Sequence, residues 1–391
     1  MESDQLITLA PAIYQVNLPK KKILWVGAFP PNGADIFGGV IVACRSLLKS
    51  NFSKEFDLSL IDSTQKSNPA PRFLVRAFYA FLRHIKFIRK LRYFKPDAIL
   101  IFCSSGFGLA EKGLLAWYSK LCGIPCVMFP RGGGLLAKAP SSFFWRWHAK
   151  TFLNSASIIL CQGSAWQKFA VDVLDFRKEK TIIINNWISN SKYFEIGEQR
   201  ADIQVRTNLA ILFVGWVEKE KGVFELIEAC KLIAKSHDFT VTIVGDGTAL
   251  DNLVSRVKKY NLMDRFNFLG WIKGETLLEA YKMADIFVLP SHMEGFPNVI
   301  LEAMASRLPI ITTPVGNISD IVKDGHTGIF VPPKDVIKLA QSLESLFVSA
   351  PTRKLLADNG YEVARKTFEI DIAVKKMTYV FHGLIDKSIG Q

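Results

Sequence analysis

Apolar residues arrive in short, nearly unbroken runs that recur along the whole chain. In the first half they lie at 23–28, 58–61, 98–102, 126–129, 157–161 and 181–184. In the second they lie at 210–215, 240–245, 266–270, 286–290, 309–313 and 328–331. Between them the apolar positions recur every three or four residues, as at 223–236, 250–260 and 336–347, which predicts amphipathic helices. A strand that is apolar throughout must be covered on both faces, so such strands alternating with helices predict parallel sheets flanked by helices. The alternation is interrupted once, by a polar stretch at 189–208 that reads as a linker. The expected fold class is therefore α/β, with two Rossmann-like, doubly wound domains facing each other across a cleft. Residues 1–190 would form the first domain and 200–371 the second, with a helix at about 372–391 packing back on the first. Ligands of such sheets bind beyond the carboxyl ends of the strands, so the cleft is the expected site.

Composition narrows the setting. At 391 residues, 49% of them hydrophobic and 22% charged, the chain has material for two cores. No run of about 18 uninterrupted apolar residues occurs, so no membrane-spanning helix is expected. The acidic Glu2 and Asp4 precede the first apolar run and Lys20, Lys21 and Lys22 follow it, the reverse of a secretion signal. The six cysteines lack metal-type spacing and read as reduced thiols of a cytoplasmic protein. Charge is unevenly placed: residues 1–200 hold 27 Lys and Arg against 13 Asp and Glu, whereas the remainder is nearly balanced. The first half should therefore face something anionic. A dinucleotide fingerprint is absent after both first strands; the first continues Phe29-Pro30-Pro31-Asn32-Gly33, and Gly38-Gly39 comes later.

The densest chemistry follows the run at 286–290, where the chain reads Ser291-His292-Met293-Glu294-Gly295-Phe296-Pro297-Asn298-Val299 and reaches Glu302. Pro297 and Asn298 suit the opening of a helix, whose free N–H groups and dipole would seat an anion. Gly295 permits close approach to the backbone. Glu294 stands beside that seat, and Glu302 lies on an apolar stretch where a carboxylate needs a partner such as a sugar hydroxyl. Singly, each glutamate could equally be a surface residue or half of a structural ion pair.

Together, two glutamates eight positions apart with Gly-Phe-Pro-Asn between them resemble the signature of family 4 retaining glycosyltransferases, whose architecture is GT-B. The resemblance covers 205–370, through Phe213-Val214-Gly215, Lys221-Gly222, Gly245-Asp246-Gly247, Leu269-Gly270-Trp271, Asp285-Ile286-Phe287-Val288-Leu289-Pro290 and Asp324-Gly325-His326-Thr327-Gly328. It implies that Glu294 holds the donor sugar while Gly295, Phe296, Pro297, Asn298 and Val299 line sugar and phosphate. Lys221 would neutralise the diphosphate, Gly39 and Gly215 would approach it, Glu302 would bind the ribose, and the backbone near Trp271 and Ile272 would take the base. It further implies that the anomeric configuration is retained without a metal or other cofactor, by attack on the leaving-group side. UDP is expected over GDP on family habit. Two positions depart from the family: Trp216 stands where an arginine is usual, and Arg131 occupies a glycine-rich loop where a histidine is usual. Arg131 is expected to be a site residue, because a planar guanidinium suits phosphate.

Residues 72–95 contain eight Lys or Arg and no acid, and Arg72, Arg76, Arg83, Lys86 and Lys90 fall on one stripe at helical period. This predicts a helix lying on an anionic membrane or acceptor, assisted by the aromatic run at 143–147. No nucleic-acid motif accompanies the charge. The expected protein is a hexosyltransferase at the inner face of the cell membrane, passing a sugar to a lipid-linked or membrane-proximal glycan acceptor in surface polysaccharide or lipopolysaccharide synthesis. The alternatives are a nucleotide-sugar epimerase of the same architecture, or a non-catalytic nucleotide-sugar-binding protein.

Overall fold

The computed structural model describes residues 19–31, 38–64, 71–131, 133–200 and 208–389. Two six-stranded parallel sheets organise them. The first contains β1 (Lys22–Gly27), β2 (Asp57–Asp62), β3 (Ala98–Cys103), β4 (Cys126–Pro130), β5 (Ile158–Cys161) and β6 (Thr181–Ile183), in spatial order β2-β1-β3-β4-β5-β6. The second contains β7 (Leu209–Val214), β8 (Phe239–Val244), β9 (Phe266–Gly270), β10 (Ile286–Leu289), β11 (Ile310–Thr312) and β12 (Ile329–Phe330), in order β12-β11-β10-β7-β8-β9. Strands such as β3 and β10 are buried at every position, so no polar residue alternates along them. Strand order reverses between β1 and β3 in the first sheet and between β7 and β10 in the second. Those reversals open crevices at the carboxyl ends, and the crevices place the site.

One local feature differs from the sequence expectation, and the closing helix packs as expected. The stretch 189–208 is not simply a linker: Lys192–Gln199 is a helix, and its Tyr193, Phe194 and Ile196 are buried in the second core with Ile188. Its polar look comes from the exposed face of a short helix. The closing helix Ile370–Ile389 leaves the second domain and inserts Ala373, Val374, Met377, Phe381 and Ile385 into the first core. There Phe381 meets Phe52 and Phe56 at ring-centroid distances of 5.9 and 5.8 Å.

The domains also meet through polar contacts beside the cleft. Asp320 accepts hydrogen bonds from the Ser164 N–H and hydroxyl, and Asn317 Oδ1 accepts from the Ala165 N–H at 3.1 Å. Asn186 Nδ2 donates to the Phe296 carbonyl and to Asn298 Oδ1, both at 2.8 Å. Gln162 holds Asn186 from behind at 2.8 Å.

Candidate active site

The turns after β7 and β10 touch, because these strands flank the reversal of the second sheet. At Gly222 (φ 71°) a Cβ would stand 2.0 Å from the Pro290 carbonyl oxygen, so only glycine allows this contact. The result brings Lys221 Nζ to 2.6 Å from Glu294 Oε1, joining residues 73 apart in sequence. Ser291 Oγ donates to the same oxygen at 2.8 Å, and the Thr313 hydroxyl fixes the Ser291 carbonyl at 2.6 Å. On its other side Glu294 is pressed by Gly316 (φ 61°), where a Cβ would fall 2.1 Å from the Glu294 carbonyl oxygen. Glu294 is therefore held by two donors and by backbone packed around it.

The helix Asn298–Ala305 starts immediately beyond, with Pro297 as its N-cap and no side chain capping its first N–H groups. Across the cleft the helix Gly39–Lys49 starts the same way, behind Gly38 and without a capping side chain. A Cβ on Gly39 would lie 3.8 Å from Asn298 Nδ2, so the two helix starts face each other. Gly133 completes the approach, its would-be Cβ 2.8 Å from the Glu294 carbonyl oxygen. Two positive helix ends and an ammonium converge on one gap, an arrangement suited to a polyanion.

Several residues singled out from sequence occupy different surroundings from those expected. Asn298 Oδ1 is engaged by Asn186, which turns its Nδ2 toward Gly39 across the gap. Phe296 is buried, with its ring 6.0 Å from Phe368, and Pro297 has no N–H to offer. The Gly215 N–H is committed to the Val244 carbonyl at 3.0 Å. Ile272 packs against the second core, whereas Trp271 stands in the cleft with Trp216, ring centroids 4.7 Å apart and planes at 83°. Glu302 lies behind the helix start, where Tyr281 Oη donates to Oε2 at 2.9 Å and Tyr193 donates as well. Burial pushes its carboxyl up to about 7 against the lowering effect of those two hydroxyls. The two tyrosines and Ser291 were not found from sequence, since a tyrosine in an amphipathic helix carries no separate signal.

Arg131 departs furthest. It is buried, and its guanidinium lies 4.7, 5.3 and 5.5 Å from the ring centroids of Phe129, Trp187 and Phe102. Nη1 has no hydrogen-bond partner among the described residues, and burial lowers the guanidinium to about 10. The glycine-rich loop turns this side chain into an aromatic box instead of the open cleft; Gly132 lies outside the described residues. His148 is likewise buried, with its imidazole lowered by burial.

The basic stripe also turns inward. In the helix Phe73–Phe94, Lys90 Nζ donates to Ser59 Oγ (2.8 Å) and the Leu60 carbonyl (2.9 Å), and Arg83 pairs with the buried Glu111. Arg76 lines the cleft, its guanidinium 5.0 Å from the Phe107 ring centroid. Arg72 and Lys86 stay exposed. The outward face is apolar instead: Phe73, Leu74, Phe78 and Phe81 are 62, 79, 58 and 62% exposed. Phe143, Phe144 and Trp147 are exposed on the helix Phe143–Leu153. Periodicity locates a stripe but not which side of it meets the fold, and cations with partners on β2 and at Glu111 gain by facing in. Glu111 had a signal that went unread: it is the one carboxylate between Asp97 and Asp172.

Between this helix and the Trp216–Trp271 pair lies a cavity of about 840 Å³. Among the described residues no group of three or more His, Cys, Asp or Glu is placed to hold a metal ion. No described helix is long and apolar enough to cross a membrane.

The profile of the family described as "Glycosyl transferases group 1" matches residues 196–363, the part of the chain that carries Lys221, Glu294 and Glu302. The second domain belongs to that family. Over 177 residues this group 1 domain is 33% identical to a glycogen synthase of Mycobacterium tuberculosis, covering 42% of this chain and 43% of the relative. It is 27% identical over 195 residues to the capsular polysaccharide biosynthesis glycosyltransferase CapM of Staphylococcus aureus, covering 50% of this chain and 51% of the relative. The chain thus spans about half the length of these curated relatives. The crystal structure of Anabaena Alr3699/HepE in complex with UDP-glucose superposes over 93% of this chain and 99% of that one, at a TM-score of 0.69 and 19% identity. That likeness extends to both domains and shows a common two-domain GT-B fold.

Proposed function

We propose that the chain is a retaining, metal-independent glycosyltransferase that moves a sugar from a UDP-sugar to a lipid-linked glycan acceptor in surface polysaccharide or lipopolysaccharide synthesis. The observation that carries this reading is the Lys221–Glu294 pair, set between two uncapped helix starts from different domains. The group 1 family of the second domain and the UDP-glucose bound by the HepE structure support the donor class.

In this reading the diphosphate occupies the gap between the Gly39 and Asn298 helix starts. Lys221, neutralised by Glu294 while the gap is empty, turns to the phosphates. Glu294 then takes a donor-sugar hydroxyl, Glu302 takes the ribose hydroxyls, and the base lies along Trp271–Ile272. Transfer breaks the anomeric carbon–oxygen bond, and the electron pair departs with the diphosphate. The acceptor oxygen bonds to the same face of the sugar and its proton passes to the departing phosphate oxygen. Negative charge grows on the leaving group, so Lys221 and the helix amides do most of the electrostatic work; such a donor is typically worth about a hundred- to a thousandfold in rate. With Lys221 turned to the phosphates Glu294 remains tied by Ser291, which favours a positioning role over a covalent nucleophile. Arg131 acts as a fixed buried charge behind Gly133. The cavity of about 840 Å³ runs from the Gly39 helix start to Arg76 and Arg83, room beyond a donor that favours a transferase over an epimerase, which needs no acceptor.

The apolar outer face of the long helix, flanked by exposed Arg72 and Lys86, fits the interface of an anionic bilayer on the cytoplasmic side, consistent with the basic excess of residues 1–200. The test is a thermal-shift panel of UDP, GDP and their sugars, followed by turnover with and without EDTA. UDP-sugar stabilisation, EDTA-insensitive turnover and its loss in Glu294→Ala are expected. Failure of every nucleotide to bind would remove the reading.

A further inference from the structure

We propose that the cavity between the long helix Phe73–Phe94 and the Trp216–Trp271 pair binds an anionic saccharide. Its sugar ring lies on Trp216, and its carboxylate or phosphate substituent meets Arg76 and Arg83. The proposal rests on the transferase reading and names the acceptor class of that same cleft.

The cavity has two unlike walls. The first-domain wall presents Arg76, Arg83 and Lys112 against a single carboxylate, Glu111. Glu111 is shared, taking Arg83 on one oxygen and Lys112 on the other at 3.3 Å. Burial alone would raise the Glu111 carboxyl, but Lys112 and Arg83 together hold it below its usual value, so it is spent on its two partners. Arg76 is left over: half-buried, over the Phe107 ring, with no ion pair among the described residues. The helix Phe107–Leu121 begins beside it at Gly106 without a capping side chain, adding the positive end of its dipole. A neutral ligand would desolvate Arg76 and leave it unpaired; an anionic one satisfies it, and a guanidinium discriminates between them.

The opposite wall is aromatic. Trp216 and Trp271 stand edge to face at the ends of β7 and β9, and Trp271 is 41% exposed. Asp246, also on this wall, directs its carboxylate to the Gly247 N–H at 2.7 Å. A flat indole opposite a guanidinium suits a pyranose with an acid on its far side, since apolar C–H faces stack on aromatic rings while the charged end reaches across.

Calorimetry on the full chain with UDP present tests this with three probes: methyl β-glucuronide, methyl β-glucoside 6-phosphate and methyl β-glucoside. At least one anionic probe should bind roughly tenfold tighter than the neutral one. Whichever does names the substituent as carboxylate or phosphate. Arg76→Gln should bring the anionic and neutral probes to near parity, and Arg76→Lys should keep much of the preference. Trp216→Ala should weaken all three probes alike. Equal affinity for charged and neutral probes, a preference that survives Arg76→Gln, or no binding by any probe would overturn the proposal. Failure of UDP to bind in the same cell would instead sink the transferase reading.

Discussion

Glu302 makes stability and donor binding depend on pH in a way that a single substitution should expose. Its carboxyl is raised from an ordinary 4.5 to about 7, chiefly by burial. Between those values the folded protein keeps a proton that the unfolded chain has released, so stability must fall as pH rises through this window. At about 1.4 kcal/mol per pH unit the difference between its ends amounts to about 3 kcal/mol, an upper figure for a site that can relax. Glu302→Gln keeps an acceptor for Tyr193 and Tyr281 but cannot ionise. Urea denaturation of both proteins should give similar stabilities at about pH 5 and a more stable variant, by up to about 3 kcal/mol, at about pH 8. Other titrating groups act on both proteins and cancel in the difference. If ribose hydroxyls bind the ionised carboxylate, UDP affinity of the natural protein should climb as pH rises through about 7, while the variant binds weakly and without that slope. Parallel stability curves for the two proteins across this range would refute the reasoning.

Arg131→Met should stabilise the fold by about 1 kcal/mol, because relief of a desolvated cation whose Nη1 lacks a hydrogen bond outweighs its loss from the three rings, and should slow turnover; chemical denaturation and steady-state kinetics read the two effects. Phe78→Ser with Phe81→Ser removes apolar contact worth about 2 kcal/mol per ring, so sedimentation with phosphatidylglycerol vesicles should fall at least about tenfold. Arg76→Gln should leave that sedimentation unchanged, because its side chain faces the cavity. Asp320→Ala removes the cap that reaches Ser164 across the domains; a loss of about 1 kcal/mol and faster hydrogen exchange at Ser164 and Ala165 are expected.

The strands were legible because parallel sheets covered on both faces demand continuous apolar runs; each of the twelve lies within one residue of its expected ends. The juxtaposition of Lys221 and Glu294 was legible only through resemblance, since no local pattern links residues 73 apart. Orientation was the illegible part. The stripe at Arg76, Arg83 and Lys90 was visible, but its inward direction depends on Glu111 and on Ser59 and Leu60, which belong to other elements. The same holds for Arg131, whose aromatic box is assembled from β3, β4 and the turn after β6. The helix within 189–208 was hidden because Tyr193, Phe194 and Ile196, its buried large apolar side chains, give no periodicity strong enough to read in so short a segment.

The closing helix has a consequence for how the molecule is made. Trp25, Phe52 and Phe56 emerge early from the ribosome, yet the side chains that seal them, Met377 and Phe381, are synthesised only after the entire second domain. The first domain must therefore wait with an open apolar seam while its neighbour folds, a situation that invites chaperone capture or misassociation. Its final docking also straps the two lobes together by a covalent path that crosses between them twice.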